Sequence, residues 1–540
     1  MDQNESSLAE HPRGETLSGW IVGSPPAHQL PAAPTFPREW LGQSIIHCFE
    51  QMAARDPERL IVDDGSSRYT YAELRRAMRQ LAAQIDRESP AGRPVAALMY
   101  NDASFPALLL ACVAAGRPIV AMDASDPIER QQAILAEAKP GAIVSVDPSI
   151  DLSFVDAGLV RIVAAPTSAE EVALPEVARD LDAPLGITFT SGSTGRPKGI
   201  AFSERQVLRI VAKHIDDNAI GPDDVILGIA SLSAGGARES LCALLTGAQL
   251  HLVNLKRVGA LASLRVMQEK RVTIFGFLPS PFRMLMQVPG IEASLAHLRA
   301  IDLVGEATTA SDMALFRSKL PSSCRITLGL GSIDASLTCR WTAEDDKIDG
   351  LNAPVGYVDT GRCVMIADEA GNPVPTGEAG ELIASDDGVS LGYWRAGRLD
   401  RETFRPGPGD PGPRTCHTGD VVRMREDGLI EFVGRRDRMV KVRGLRADLG
   451  EIEAAIRGMD EVADAVVVAR ARDGDSMHLA AFVSLAEGAS RPDNATVRAV
   501  IARETAEHMV PHAIHFLDAL PRLHNGKPDL VRLGAMAEEV

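Results

Sequence analysis

Between residues 188 and 200 the sequence reads TFTSGSTGRPKGI. An apolar lead-in with Ile187 and Phe189 predicts a strand, which runs into Thr190, Ser191, Gly192, Ser193, Thr194 and Gly195, with Lys198 and Gly199 close behind. Small residues let backbone N–H groups converge on phosphate oxygens, hydroxyls add donors, and a lysine adds positive charge. The run reads as a phosphate cradle. It is not the G-x-x-x-x-G-K-[ST] loop, because Pro197 precedes Lys198 and Gly199 follows it. A flexible Gly/Ser linker is the plainer alternative, but a linker does not call for a strand before it and a lysine within it.

This run resembles the phosphate-binding loop of the acyl-adenylate-forming superfamily, which includes nonribosomal peptide synthetase adenylation domains, acyl-CoA ligases and firefly-type luciferases. Further segments match that family in order from Tyr69 to Asp529: RYTYAELRR at 68–76, VAAGRPIVAMDASDP at 113–127, LVGEATT around Gly305, GELIASDDGVSLGYW at 380–394, HTGD at 417–420, GRRDRMVKVRGLRADLGEIE at 434–453 and LPRLHNGKPDL at 520–530. The resemblance implies ATP and Mg2+, with a carboxylic or amino acid converted to its acyl-AMP and then passed to a thiol. It implies that Gly305, Glu306, Ala307, Leu330 and Gly331 lie along the adenine, that Asp420 accepts both ribose hydroxyls, and that Arg435 approaches the nucleotide. A carboxylate suits the ribose role, since it offers several acceptor sites at once. Lys527 would bridge the acid and the α-phosphate, where a single ammonium offsets the repulsion of two anions. Asp437 would be a hinge, and Lys441, Val442, Arg443, Gly444 and Leu445 would line a thiol tunnel once the small domain rotates.

The resemblance weakens at the acid. By the family's register the pocket comprises Ala234, Gly235, Arg238, Phe277, Asp302, Val304, Gly329, Leu337 and Thr338. Ala234 stands where peptide-synthetase domains carry an aspartate for the α-ammonium, which argues against an ordinary α-amino acid held in the ordinary way. Asp302 either receives an amine from another direction or pairs with Arg238. Leu330 to Asp334 replace the family's Y-G-P-T-E, so Asp334 keeps an acid for Mg2+ that is one methylene shorter.

Positioning such a site takes a large scaffold. Thr70 and Glu73 form a capping box, followed by Leu74, Met78, Leu81 and Ile85 at helical spacing. Apolar runs at Val95–Met99, Ile119–Met122, Ala142–Val146 and Val160–Ala164 then alternate with helix-like segments, the signature of an α/β domain with largely parallel strands. Beyond Gly434 the pattern predicts a helix over 449–457, strands over 463–469 and 479–485, a helix over 495–507 and a strand near Ile514. The expected organisation is a loosely ordered leader over 1–42, a large multi-layer α/β domain with parallel and mixed sheets over 43–436 that binds ATP and the acid, and a small mobile α+β lid over 437–540. The Pro/Gly segment 405–414 reads as a surface loop.

Composition narrows the function classes. With 540 residues, 45% hydrophobic and 24% charged, the chain is globular in kind and too long for one core of usual size. A formal charge of −17, from 56 basic and 73 acidic residues, argues against general affinity for nucleic acid or anionic membranes. Seven scattered cysteines without a C-x-x-C pair read as free buried thiols. The amino terminus is acidic where a secretory signal is basic and then apolar, so a cytosolic location is expected. The V-K-V-R-G-x-R and N-G-K forms resemble the carrier-protein branch, and thirteen residues follow Lys527, too few for a carrier domain, so a carrier protein acting in trans is expected. The rivals are an acyl-CoA ligase using free CoA and a catalytically impaired nucleotide-binding homologue.

Overall fold

The computed structural model describes residues 19–31, 35–156, 158–163, 171–177, 180–191, 197–229, 236–343, 348, 350–402, 404–406, 413–442, 445–472, 476–505, 507–523 and 526–537. Among them the chain forms a large N-terminal α/β domain with parallel and mixed sheets, and a smaller C-terminal α+β domain.

The local signals act as the sequence leads one to expect. Thr70 Oγ1 accepts from the Glu73 N–H at 3.3 Å while the Glu73 carboxylate takes the Thr70 N–H at 2.8 Å. These reciprocal bonds satisfy two otherwise orphan donors. The helix Tyr71–Glu88 then buries Leu74, Met78, Leu81 and Ile85 on one face.

Two sheets carry the large domain. In the first, six parallel strands run in the order Arg325–Ser332, Ala300–Val304, Ile274–Phe277, Val225–Gly228, Gln249–Leu252 and Leu60–Asp63, with antiparallel strands at both edges. Their apolar residues are covered by helices, as parallel sheets require; Phe275, Ile301 and Leu303 pack with Phe282, Met313 and Phe316. The second sheet sets Val95–Met99 between Ile119–Asp123 and Ala142–Ser145, and extends through Pro184–Ser191 and Pro197–Ser203 to Gly392–Arg395. A third, antiparallel sheet includes Cys363–Ala367, Ala379–Ser385, Arg414–Met424 and Ile430–Arg435.

A 3-10 turn at Arg436–Arg438 follows Ile430–Arg435 and leads into the hairpin Met439–Val442 and Leu445–Asp448. Beyond it the helix Leu449–Arg457 packs on Val462–Arg472, which pairs with Ser476–Leu485 and through it with Ala513–Leu517.

Two expectations need correction. The described part of the leader is packed: Ile21–Val22 pair with Cys363–Val364, Gln29 Nε2 donates to the Thr342 carbonyl at 3.1 Å, and Phe36 and Trp40 are buried. Ile21, Val22 and Gln29 meet partners hundreds of residues away, so local periodicity does not reveal these contacts. The helix expected to 507 spans Asn494–Glu504, where Thr505 turns extended and closes its N–H on the Ile501 carbonyl. All seven cysteines are free; six are buried and Cys363 is partly so. Residues 407–412 of the Pro/Gly segment lie outside the described residues, and its flanks Arg405–Pro406 and Arg414–Thr415 pair as antiparallel strands. Among the described residues no helix is long and apolar enough to cross a membrane.

Candidate active site

The C-terminal ends of Ile274–Phe277, Ala300–Val304 and Arg325–Ser332 lie side by side, where ligands bind in open α/β sheets. Gly305 follows Val304 directly with φ at 89°, a left-handed backbone, and a Cβ there would come within 3.1 Å of Leu278 Cδ2. Glu306 accepts the Ser280 N–H at 2.9 Å, at the start of the helix Pro279–Met286, and Ala307 beside it is half-buried. Lys527 Nζ donates to the Gly305 carbonyl at 3.2 Å. A loop of the small domain thus reaches this strand end.

A second group of residues gathers at the turn between Arg325–Ser332 and Ser336–Ala343. Gly331 is covered so closely by the Ser336 and Leu337 backbone that no Cβ fits. Leu330 packs inward with Cys339, Val355 and Val358, while Asp334 faces the cradle strand: its Oδ1 accepts from Lys198 Nζ at 3.0 Å. The same ammonium sits 3.7 Å above the Tyr393 ring. Burial first, and then the Asp334 carboxylate to which it hydrogen-bonds, push the Tyr393 phenol well above its ordinary pKa, so it stays a neutral donor. The sequence does not single out Tyr393, although it stands in the LGYW run of a segment that resembles the family.

The third group lies on the antiparallel sheet. Asp420 is 5% exposed and faces Arg435 across the ladder, with Arg435 Nη1 at 3.0 Å from its Oδ1. Gly419 has φ at 74° and gives its N–H to Glu381 at 3.2 Å. Glu381, also not evident from the sequence, takes Arg436 Nη1 at 2.9 Å as well. The 3-10 turn that carries Asp437 is therefore held on one side by Glu381.

The pocket residues cluster around the strand Ala300–Val304. Phe277 pairs with Leu303, and Val304 with Gly329. A Cβ on Gly329 would meet Val304 Cγ1 at 3.0 Å and also strike Leu337. Thr338 is fully buried and donates to the Leu330 carbonyl at 2.9 Å. Asp302 does not pair with Arg238. The buried Asp302 carboxylate accepts from Asn218 at 2.9 Å and lies 3.5 Å from His214 Nδ1, whereas Arg238 gives its guanidinium to Glu239 at 2.7 Å. Burial, then the Arg238 charge, push His214 down to about 4, so it is neutral here.

Gly192, Ser193, Thr194, Gly195, Ala234, Gly235, Arg443 and Gly444 lie outside the described residues. Thr190 and Ser191 end the strand that enters the cradle. Asp437, Lys441 and Leu445 are placed by backbone: Asp437 in the 3-10 turn, Lys441 paired with Arg446, and Leu445 with Val442. Val442 is buried in the small domain's own core, so its side chain is not free to line a tunnel. Among the described residues no three metal-ligating side chains converge.

This arrangement of strand ends, cradle strand and overlying lysine loop has direct relatives. Residues 49–394 match the AMP-binding enzyme family and residues 451–527 match the AMP-binding enzyme C-terminal domain. The chain belongs to the AMP-binding enzyme family, a family of adenylate-forming ligases. It is 32% identical over 517 residues to a linear gramicidin synthase of Brevibacillus parabrevis, covering 91% of this chain and 6% of that synthase, so it spans a small fraction of that relative. Its fold matches Klebsiella oxytoca NpsA in complex with 3-hydroxyanthranilyl-AMSN, with a TM-score of 0.77 at 22% identity over 92% of this chain and 99% of that one. It also matches the anthranilate CoA ligase AuaEII in complex with anthranoyl-AMP, with a TM-score of 0.79 at 18% identity over 94% and 99%.

Proposed function

We propose that the protein uses ATP to adenylate a carboxylic or amino acid and then transfers the acyl group to the phosphopantetheine thiol of a carrier protein. The observation that carries this reading is the contact of Lys527 with the Gly305 carbonyl. It brings a cation from the small domain to the strand end where the adenine-side segment and the acid pocket meet.

In the first half-reaction a carboxylate oxygen attacks the α-phosphorus, the bond to the β-phosphate breaks, and pyrophosphate leaves. Two anions must approach, and Lys527 offsets their repulsion while holding them in line. Asp420 accepts the ribose hydroxyls, with Arg435 beside it fixing its charge. Lys198, held by Asp334 and Tyr393, places its charge at the cradle. Mg2+ commonly binds through one or two carboxylates plus substrate phosphates, and Asp334, which also holds Lys198, would be its carboxylate here. The ion would neutralise charge on the departing pyrophosphate. In the second half-reaction the thiol sulfur bonds to the acyl carbon, AMP leaves with the electron pair of the broken C–O bond, and the thiol proton passes to solvent.

The buried Asp302, His214 and Asn218 group supports an acid with a polar substituent. The aminoaryl ligands bound by two structural neighbours make anthranilate and 3-hydroxyanthranilate first choices beside the amino acids. The test is ATP–pyrophosphate exchange across such a panel, followed by mass spectrometry of a carrier protein and of CoA as rival acceptors. Loading of the carrier supports the reading. Acid-dependent exchange with product on CoA alone would turn it into an acyl-CoA ligase, and no exchange with any acid would leave a nucleotide binder.

A further inference from the structure

At the junction of the two domains stands a cluster of charged residues that the reaction scheme leaves unused. Asp464, on the small-domain strand Val462–Arg472, is 3% exposed. It accepts from two arginines. Arg283 of the large domain reaches it at 3.3 Å while also holding Asp312 bidentately, and Arg522 of the small domain holds its other oxygen. Arg522 Nη1 donates further to the Gly526 carbonyl at 2.7 Å and lies 3.3 Å from Ser280 Oγ of the large domain.

These contacts close a ring. Gly526 precedes Lys527, Lys527 meets Gly305, Glu306 beside it holds the Ser280 N–H, and Ser280 Oγ returns to Arg522. The turn itself is tight: the Leu523 N–H bonds the Lys527 carbonyl at 2.7 Å, and Gly526 has φ at 82° with Pro281 3.2 Å from where a Cβ would stand. A guanidinium suits this place because its planar fork presents several donors in fixed directions, which one ammonium cannot do.

We propose that Arg522 is a positioning residue for the adenylation step: its guanidinium sets the turn that carries Lys527 and ties that turn, through Asp464, Arg283 and Ser280, to one placement of the small domain on the large one. This rests on the role given to Lys527 above. Buried ion pairs add little net stability, because desolvation consumes most of the Coulomb gain, yet they are selective about geometry. The cluster therefore defines the adenylating arrangement without locking the small domain in it.

The first arm of the test is ATP–pyrophosphate exchange on the full chain, with anthranilate as the first probe acid. R522Q should lower kcat by about tenfold or more, the scale of a small misplacement at a reacting centre, with the KM for ATP unchanged. R522K, which keeps a cation but not the fork, should fall between. In a Lys527→Ala background R522Q should cost nothing further. Multiplying losses in that background, or wild-type kcat in both Arg522 variants, overturns the proposal. Full exchange by Lys527→Ala would instead overturn the proposed function, which is a distinguishable result.

The second arm uses ATP alone and needs no acid. Spin labels at Leu261→Cys and Val531→Cys, positions 63% and 86% exposed on the large and small domains, should report one dominant separation in the parent and a broadened or displaced one with R522Q or R522K. Identical distance distributions in folded variants overturn the proposal.

Discussion

Lys527 and Asp420 divide the proposed chemistry between a charge that acts at the transition state and one that acts in binding. Lys527→Ala removes a single cation from a half-buried surface turn, so the fold should persist while exchange falls on the order of a hundredfold, the usual effect of removing one donor from a developing charge. Near-normal exchange by the folded variant would refute its role. Asp420→Ala removes a charged acceptor and leaves Arg435 without that carboxylate. Hydrogen bonds to charged groups are worth roughly 1.5–3 kcal/mol, so the KM for ATP should rise about ten- to a hundredfold with a smaller change in kcat. An unchanged KM would count against the ribose assignment.

At the scale of elements, Asp448 links the hairpin after the hinge to the helix Leu449–Arg457. Its Oδ1 caps the helix by accepting the Gly450 N–H at 2.8 Å, while Oδ2 is buried against Gly434 with no partner among the described residues. Burial pushes this carboxyl up to about 6. A carboxyl whose pKa is raised by folding binds its proton more tightly when folded, so its contribution to stability is full below about 4 and is lost as pH rises through 6. Urea unfolding should therefore show stability declining between about pH 4 and 6, and Asp448→Asn, which keeps a capping oxygen, should flatten that slope. An unaltered slope would place the titration elsewhere. The capping box at Thr70 and the strand run into the cradle were legible in the sequence because each is written within a few neighbouring residues. The packing of Gln29 on Thr342 and the meeting of Arg283, Asp464 and Arg522 were not, because residues up to 313 positions apart make them. At the site, Lys198, Asp420 and Lys527 were legible through ordered motifs, whereas Tyr393 and Glu381 read as structural strand residues. Asp302 stands out in the sequence, but its partners Asn218 and His214 come from a helix in a distant stretch of chain.

For the two half-reactions proposed above, the whole molecule must present two different groups to one acyl carbonyl, and both lie on the small domain. On the proposed scheme Lys527 serves the first step and the segment from Lys441 to Leu445 the second, so one rigid arrangement cannot do both. In the arrangement seen here Lys527 is at Gly305, and Asp437 sits within the 3-10 turn Arg436–Arg438. A 3-10 turn has φ of about −50 to −70°, close to the value of about −65° at which proline is fixed. Asp437→Pro is thus compatible with the arrangement that adenylates and resists the large backbone change that a hinge must absorb. Exchange should survive at a substantial level, while transfer to the carrier thiol should fall far more. Single-turnover measurements of acyl-AMP formation and of thiol loading on the same preparation separate the two steps, and equal losses in both would refute rotation about Asp437.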